Sequence, residues 1–232
     1  MENEKFDLFG LSLNVSNDHR FGTDAILLAK FASPLKKEVV CDLCTGCGII
    51  PMLFSAWGNP PKLCYGVEIQ EEAYELFSRS VKENELTERI KPVLGDLTKK
   101  EELLQIPRES VDMVTVNPPY FKTQAGAERL SPAQAMARHE ICCNLEQVIA
   151  AAAMLLKYGG NLKICHIPER LTDLMCLMRK YGIEPKIIRF AHNKAEEKPY
   201  LVLISGRKGG KSGVVVESPM VVSEVNRELF GE

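Results

Sequence analysis

Along the chain, short continuous apolar runs alternate with stretches in which apolar residues recur at helical spacing. EVVCDL (38–43) reads as a buried strand, and IIPMLFSAW (49–57) as a helix that starts after a glycine turn. KLCYGVEI (62–69) is a second strand, followed by QEEAYELFSRSVKENEL (70–86), which puts Ala73, Leu76, Phe77 and Val81 on one helical face. IKPVLGD (90–96) and SVDMVTVNPPY (110–120) read as strands that run into loops. LEQVIAAAAMLLKYGG (145–160) reads as a helix stopped by Gly159 and Gly160. A strand (161–167), a helix (169–180) and strands near 185–191 and 199–205 complete the series. The alternation predicts a doubly wound α/β fold with a mostly parallel seven-stranded sheet and helices on both faces. The whole chain, 1–232, reads as one domain: an N-terminal segment (1–37), a core (38–206) and a C-terminal tail (207–232). In such sheets a ligand sits at the C-terminal strand ends, which here means the loops after residues 43, 69, 95 and 116.

Composition narrows the setting. The chain is 45% apolar and 26% charged, as ordinary globular domains are. No apolar run approaches the roughly 18 residues of a membrane-spanning helix, so no membrane partner is expected. The start, MENEKFDLFG, is acidic and lacks a signal-peptide pattern, which predicts a cytoplasmic protein with its eight cysteines reduced. A net charge of −2 gives no global sign of nucleic-acid binding. The charge is uneven, however: residues 179–211 carry nine Lys or Arg against three Glu, whereas 68–109 carry eleven acids against seven bases. A surface that meets a polyanion and an ordinary solvated surface both fit that basic third.

The segment CDLCTGCGIIP (41–51) spaces Cys41, Cys44 and Cys47 evenly. Cluster-binding runs of this kind place a further Cys directly before a proline, and here that position is Ile50. Cys41 also falls within the predicted strand while the other two lie beyond it, so no metal is expected. Cys142, Cys143, Cys165 and Cys176 lack metal-type spacing and read as small core residues. Read as a turn, the segment is coherent. A strand ends at Asp42, a tight loop carries Gly46 and Gly48, and a helix beginning at Ile49 offers free N–H groups to a nucleotide-like ligand. The next strand ends at Glu68, placed to accept hydrogen bonds from ribose hydroxyls, and the third ends with Asp96 on the same rim.

The fourth strand ends in NPPYF (117–121). An exocyclic amino nitrogen conjugated to a ring is a poor nucleophile because its lone pair is delocalised. The Asn117 side-chain carbonyl and the Pro118 backbone carbonyl can each accept one of its N–H bonds, steering the lone pair and stabilising growing positive charge. Pro118 and Pro119 stiffen the loop, and Tyr120 offers a flat face to a planar substrate. At these residues the chain resembles class I S-adenosylmethionine-dependent methyltransferases of the amino-methylating, NPPY-carrying group. That resemblance implies S-adenosylmethionine as cofactor, held by Asp42, Leu43, Cys44, Thr45, Gly46 and Gly48 after the first strand. Glu68 and Ile69, then Asp96 and Leu97, then Asn117 follow at the next three strand ends, with Thr23 and Asp24 bordering the donor. The departure is Cys44, at the first glycine position of the turn. A positive φ there would strain it.

Only about 38 residues precede the first strand, too few for the recognition domain that glutamine-methylating relatives carry. FGTDAILLAKFA (21–32), ARHE (137–140) and RKGGKSG followed by ESPMVV resemble segments of bacterial tRNA(Val) adenine-N6 methyltransferases. This family resemblance implies tRNA as partner and an adenine N6 amino group as target, with glutamine in a release factor as the enzymatic alternative. On that reading Phe121 walls the base, and Lys122, Arg138, His139, Lys194, Arg207, Lys208 and Lys211 are candidate phosphate contacts.

Overall fold

The computed structural model describes residues 4–120 and 143–230. Phe121, Lys122, Arg138 and His139, expected at the substrate side, lie outside the described residues. Strands β1 (Glu4–Leu8) and β2 (Leu11–Val15) form an antiparallel hairpin, whose turn places Phe9 and Gly10 at φ 53° and 88°. Helix α1 (Thr23–Ala32) leads into β3 (Val39–Leu43), α2 (Ile49–Ala56), β4 (Leu63–Glu68), α3 (Glu71–Glu83), β5 (Ile90–Leu94) and β6 (Val111–Val116). Then come α4 (Leu145–Leu155), β7 (Leu156–His166), α5 (Leu171–Lys180), β8 (Ile183–His192) and β9 (Leu201–Lys208). Two-residue strands β10 (Val215–Val216) and β11 (Met220–Val221) precede α6 (Val222–Phe230).

The main sheet runs β10-β8-β9-β7-β6-β3-β4-β5, with β11 also on β8. Its seven principal strands are those expected, and β10 and β11 extend the β8 edge, giving nine. All pairings are parallel except those of β9, which runs against β7 and β8. One face is covered by the hairpin and helices α1, α2 and α3, the other by α4 and α5. The apolar stripe read on 70–86 is buried as expected, with Phe77 at its centre and fully enclosed. Two glycines make room for that ring: a Cβ at Gly48 would come 1.9 Å from Phe77 Cδ2, and one at Gly66 2.4 Å from Cε1.

One boundary differs from expectation. Helix α4 starts with a capping box, the Asn144 side chain accepting from the Gln147 N–H, but it ends at Leu155, not at Gly160. Leu156 is already extended (φ −63°, ψ 133°) and begins β7. Gly159 and Gly160 lie inside a bulge, since Val111 pairs with Leu156 while Met113 pairs with Asn161. The positive φ of Gly159 (81°) serves the bulge, and a Cβ at Gly160 would press to 3.0 Å on the Asp112 carbonyl. Pairing with β6 overrides the helical pattern.

Candidate active site

Strands β3, β4, β5 and β6 end on one rim, and their loops enclose a cavity of about 760 Å³ including its open mouth. The loop after β3 turns through three left-handed residues: Cys44 (φ 57°), Gly46 (58°) and Gly48 (82°). The first turn position therefore does need positive φ, and Cys44 holds it at a cost of about 1–2 kcal/mol. The two glycines serve different ends. A Cβ on Gly46 would meet nothing within 4 Å and would project beside the cavity, whereas Gly48 yields its space to Phe77. An open cradle at Gly46 flanked by strand-end carboxylates suits a nucleoside-bearing donor.

Asp42 lies behind this wall, fully buried, and accepts from the hydroxyls of Thr45 (2.7 Å) and Thr115 (2.5 Å). Burial pushes its carboxyl up to about 7 against the pull of those bonds. It ties the β3 loop to β6, and Leu43 and Thr45 are buried with it. Glu68 lines the cavity and accepts three backbone N–H bonds, from Gly46 (2.8 Å), Ile69 (3.0 Å) and Gln70 (2.9 Å). Burial raises its pKa, opposed by these three bonds. Each of its oxygens carries two lone pairs, so Oε2, which receives only the Gly46 N–H of these three, has capacity left for a ligand hydroxyl. Asp96 accepts from the Thr98 N–H (2.9 Å) and hydroxyl (2.7 Å). Partial burial raises its pKa, but the Thr98 bonds and Lys99 hold it below the usual range. Ile69, Leu97 and Asn117 complete the expected set on the wall.

Sequence reading missed Asp18, His19, Arg20 and Cys143, which also line the cavity. The loop carrying the first three is held by the hairpin, whose Ser12 and Asn14 N–H groups donate to Asn84 Oδ1 (2.9 Å) and Ser80 Oγ (2.8 Å). His19 faces Glu72 of α3 at 3.4 Å. These contacts join residues 53 to 72 apart in the chain, and no local periodicity announces them.

Beyond Asn117 lies a second cluster. The Tyr120 hydroxyl donates to Asn117 Oδ1, which also receives the Cys165 thiol at 3.1 Å. Asp24, near the start of α1 beside Thr23, hydrogen-bonds Tyr120, and burial raises its carboxyl pKa against that bond. Asp24 thus contacts Tyr120, and neither Thr23 nor Asp24 lies on the cavity wall. Pro118 is buried and Pro119 lines the cavity. The expected stacking role of Tyr120 is not the arrangement seen here, where its hydroxyl occupies the Asn117 carbonyl.

The basic residues divide. Lys194, in the β8–β9 loop on the rim side, lies 4.0 Å from Glu197. Arg207 and Lys208 end the antiparallel β9, where Arg207 pairs with Asn161 and Glu184 at the opposite end of the sheet. The Lys208 ammonium spends its three donors on Glu109 (2.9 Å) and on the carbonyls of Ala153 (2.9 Å) and Leu156 (2.8 Å). It staples α4 to β9. Lys211 is exposed, and its carbonyl accepts from Lys186 Nζ (3.1 Å). The three evenly spaced cysteines disperse: Cys41 packs on one face of the sheet and Cys47 on the other. Among the described residues no helix is long and apolar enough to cross a membrane.

A parallel sheet of this order, with a glycine turn, two strand-end carboxylates and Asn117 around one cavity, is the arrangement of class I S-adenosylmethionine-dependent methyltransferases. Known proteins agree. A sequence model of the TRM5/TYW2 methyltransferase domain matches residues 27–135. In the solved structures, a predicted O-methyltransferase from Agrobacterium tumefaciens superposes with TM-score 0.66 at 20% identity, covering 85% of this chain and 86% of that one. M. jannaschii TYW2 in complex with AdoMet gives TM-score 0.61 at 15% identity, with 88% and 85% covered. Among curated proteins the chain resembles the tRNA1(Val) (adenine(37)-N6)-methyltransferase of Porphyromonas gingivalis, 27% identical over 81% of this chain and 74% of that one. The protein of the same name in Histophilus somni is 26% identical over 92% of this chain and 86% of its own length.

Proposed function

We propose that this chain methylates the N6 amino group of an adenine in tRNA, as the names of its relatives indicate for them, and that it works in the cytoplasm. The observation that carries the reading is Asn117: the first residue after β6, it stands on the wall of the same cavity as Gly46, Glu68 and Asp96. Gly46, Glu68 and Asp96 hold the donor, with Cys44, Ile69 and Leu97 completing the wall and Asp42, Leu43, Thr45 and Gly48 supporting it from behind. When bound, S-adenosylmethionine supplies a methyl group on positively charged sulfur. The Asn117 side-chain carbonyl and the Pro118 carbonyl accept the two amino hydrogens, turning the nitrogen lone pair toward the cavity. For this the Tyr120 hydroxyl leaves Asn117 Oδ1, and its ring becomes free to stack on the base. No side chain is assigned as base, because a methylated amino nitrogen is acidic enough to give its proton to water. A base already unpaired in a tRNA loop costs less to swing out than one in a duplex.

The test offers methyl-labelled S-adenosylmethionine with unmodified tRNA in one tube and with release factor in another. Label in the RNA is the expected result. Label in the protein's glutamine would replace this reading with the alternative.

A further inference from the structure

His166, the last residue of β7, is fully buried. Its Nδ1 accepts the Ile167 N–H at 2.9 Å, so the ring of the neutral form carries its proton on Nε2. Burial, aided by the charge of Arg170, lowers its pKa to about 4, which keeps the ring neutral near pH 7. That Nε2–H has no hydrogen-bond partner among the described residues. Buried donors are almost always paired, and an orphan commonly awaits a group that the free protein lacks.

What lies beside the orphan indicates the group. The Tyr120 ring stands 5.1 Å from the His166 ring, tilted by 53°, and its hydroxyl donates to Asn117 Oδ1. A single six-membered aromatic ring thus bridges the space from the Asn117 carbonyl to the His166 imidazole, presenting a polar hydrogen at one end. An amino-substituted heteroaromatic base has the same layout. Its amino hydrogen replaces the tyrosine hydroxyl at Asn117, and its ring nitrogens are acceptors that the phenol lacks. We propose that His166 donates from Nε2 to one of the two ring nitrogens, N1 or N7, that lie on either side of the amino group of the target adenine. His166 is then a specificity-determining residue. It rewards a base with an acceptor beside its amino group and leaves a buried donor unpaired against one without. The inference rests on the adenine reading above.

The experiment uses full-length tRNA(Val) assembled by ligation so that adenosine 37, the position named in the relatives, is adenosine, 1-deazaadenosine or 7-deazaadenosine. Wild type, His166→Phe and His166→Gln are compared by kcat/KM and by binding of S-adenosylmethionine alone. Wild type is expected to lose about tenfold or more in kcat/KM on one of the two deaza substrates. His166→Phe should lose a similar factor on adenosine and show no further loss on that same analogue. His166→Gln, which restores a donor, should recover part of the loss, and donor binding should be equal in all three. Equal wild-type rates on all three tRNAs, or a deaza penalty undiminished in His166→Phe, would overturn the assignment of His166 alone. Failure of the wild type to methylate even the adenosine tRNA, with donor binding intact, would overturn the adenine reading and this inference with it.

Discussion

The two halves of the site are built differently. On the donor side, the three strand-end carboxylates are already engaged by the protein: Asp42 by two threonine hydroxyls, Glu68 by three backbone N–H groups, Asp96 by Thr98. On the acceptor side, Tyr120 occupies the carbonyl that the substrate needs, and the buried His166 Nε2 has no partner among the described residues. The first half is preorganised and the second is closed on itself. Binding of the donor therefore costs little rearrangement, whereas the substrate must displace a self-contact before chemistry. Substitutions on the donor side should change folding and donor affinity, and those on the acceptor side should change turnover.

The largest effect is expected at Asn117. Asn117→Ala should lower kcat by about a thousandfold while the donor Kd, measured by calorimetry, stays within about twofold. Turnover that survives would break the comparison, since the acceptor side would then not depend on the Asn117 side-chain carbonyl. Next comes Gly48→Ala, whose Cβ would run into the buried Phe77 ring and would also sit at positive φ. A loss of about 3–5 kcal/mol in denaturant unfolding is the expected outcome, with the donor cradle lost in parallel.

Asp42 gives a pH test of how fully the donor side is buried. Burial pushes its carboxyl up to about 7 in the folded chain, against the ordinary value of 3.8 when unfolded. The folded state thus holds more protons between these values. The stability this group contributes is fully present below about pH 4 and is lost as pH rises toward 7. Asp42→Asn, which keeps an acceptor oxygen for one threonine hydroxyl and removes the titration, should flatten that decline by a few kcal/mol in urea melts run from pH 4 to pH 8. A decline of unchanged steepness would mean that Asp42 stays ionised. The smallest effect belongs to Cys44. Cys44→Gly removes the left-handed strain but frees the unfolded chain, for a net gain of about 0.5–1 kcal/mol, visible as a rise in Tm.

The parts of this molecule legible in the sequence are those governed by local pattern. Strands β3 to β6 each carry a short apolar run ended by chemistry-bearing residues, and α3 carries a clean helical stripe, so both were readable. The Gly159–Gly160 pair misled because LEQVIAAAAMLL continues a helical pattern past Leu155, while pairing of β7 with β6 claims Leu156. The hairpin, and with it the placement of Asp18, His19 and Arg20, depends on side-chain bonds to α3 across distant parts of the chain. Glu68 was legible as a strand-end acid, but its three backbone donors exist only once the β3 and β4 loops are folded together. Lys208 looked like a surface cation until three acceptors surrounded it. His166 had no sequence signal at all, because its significance lies in a bond that is missing.

The most direct measurement is the identity of the methylated nucleoside. Unmodified tRNA incubated with the wild-type chain and S-adenosylmethionine would be digested to nucleosides and separated by mass spectrometry against synthetic standards. The account predicts N6-methyladenosine, absent when Asn117→Ala replaces the wild type. Methyl on a ring nitrogen of guanine or adenine, or on ribose, would contradict it, because an amide carbonyl placed to hold an amino group would then have nothing to hold.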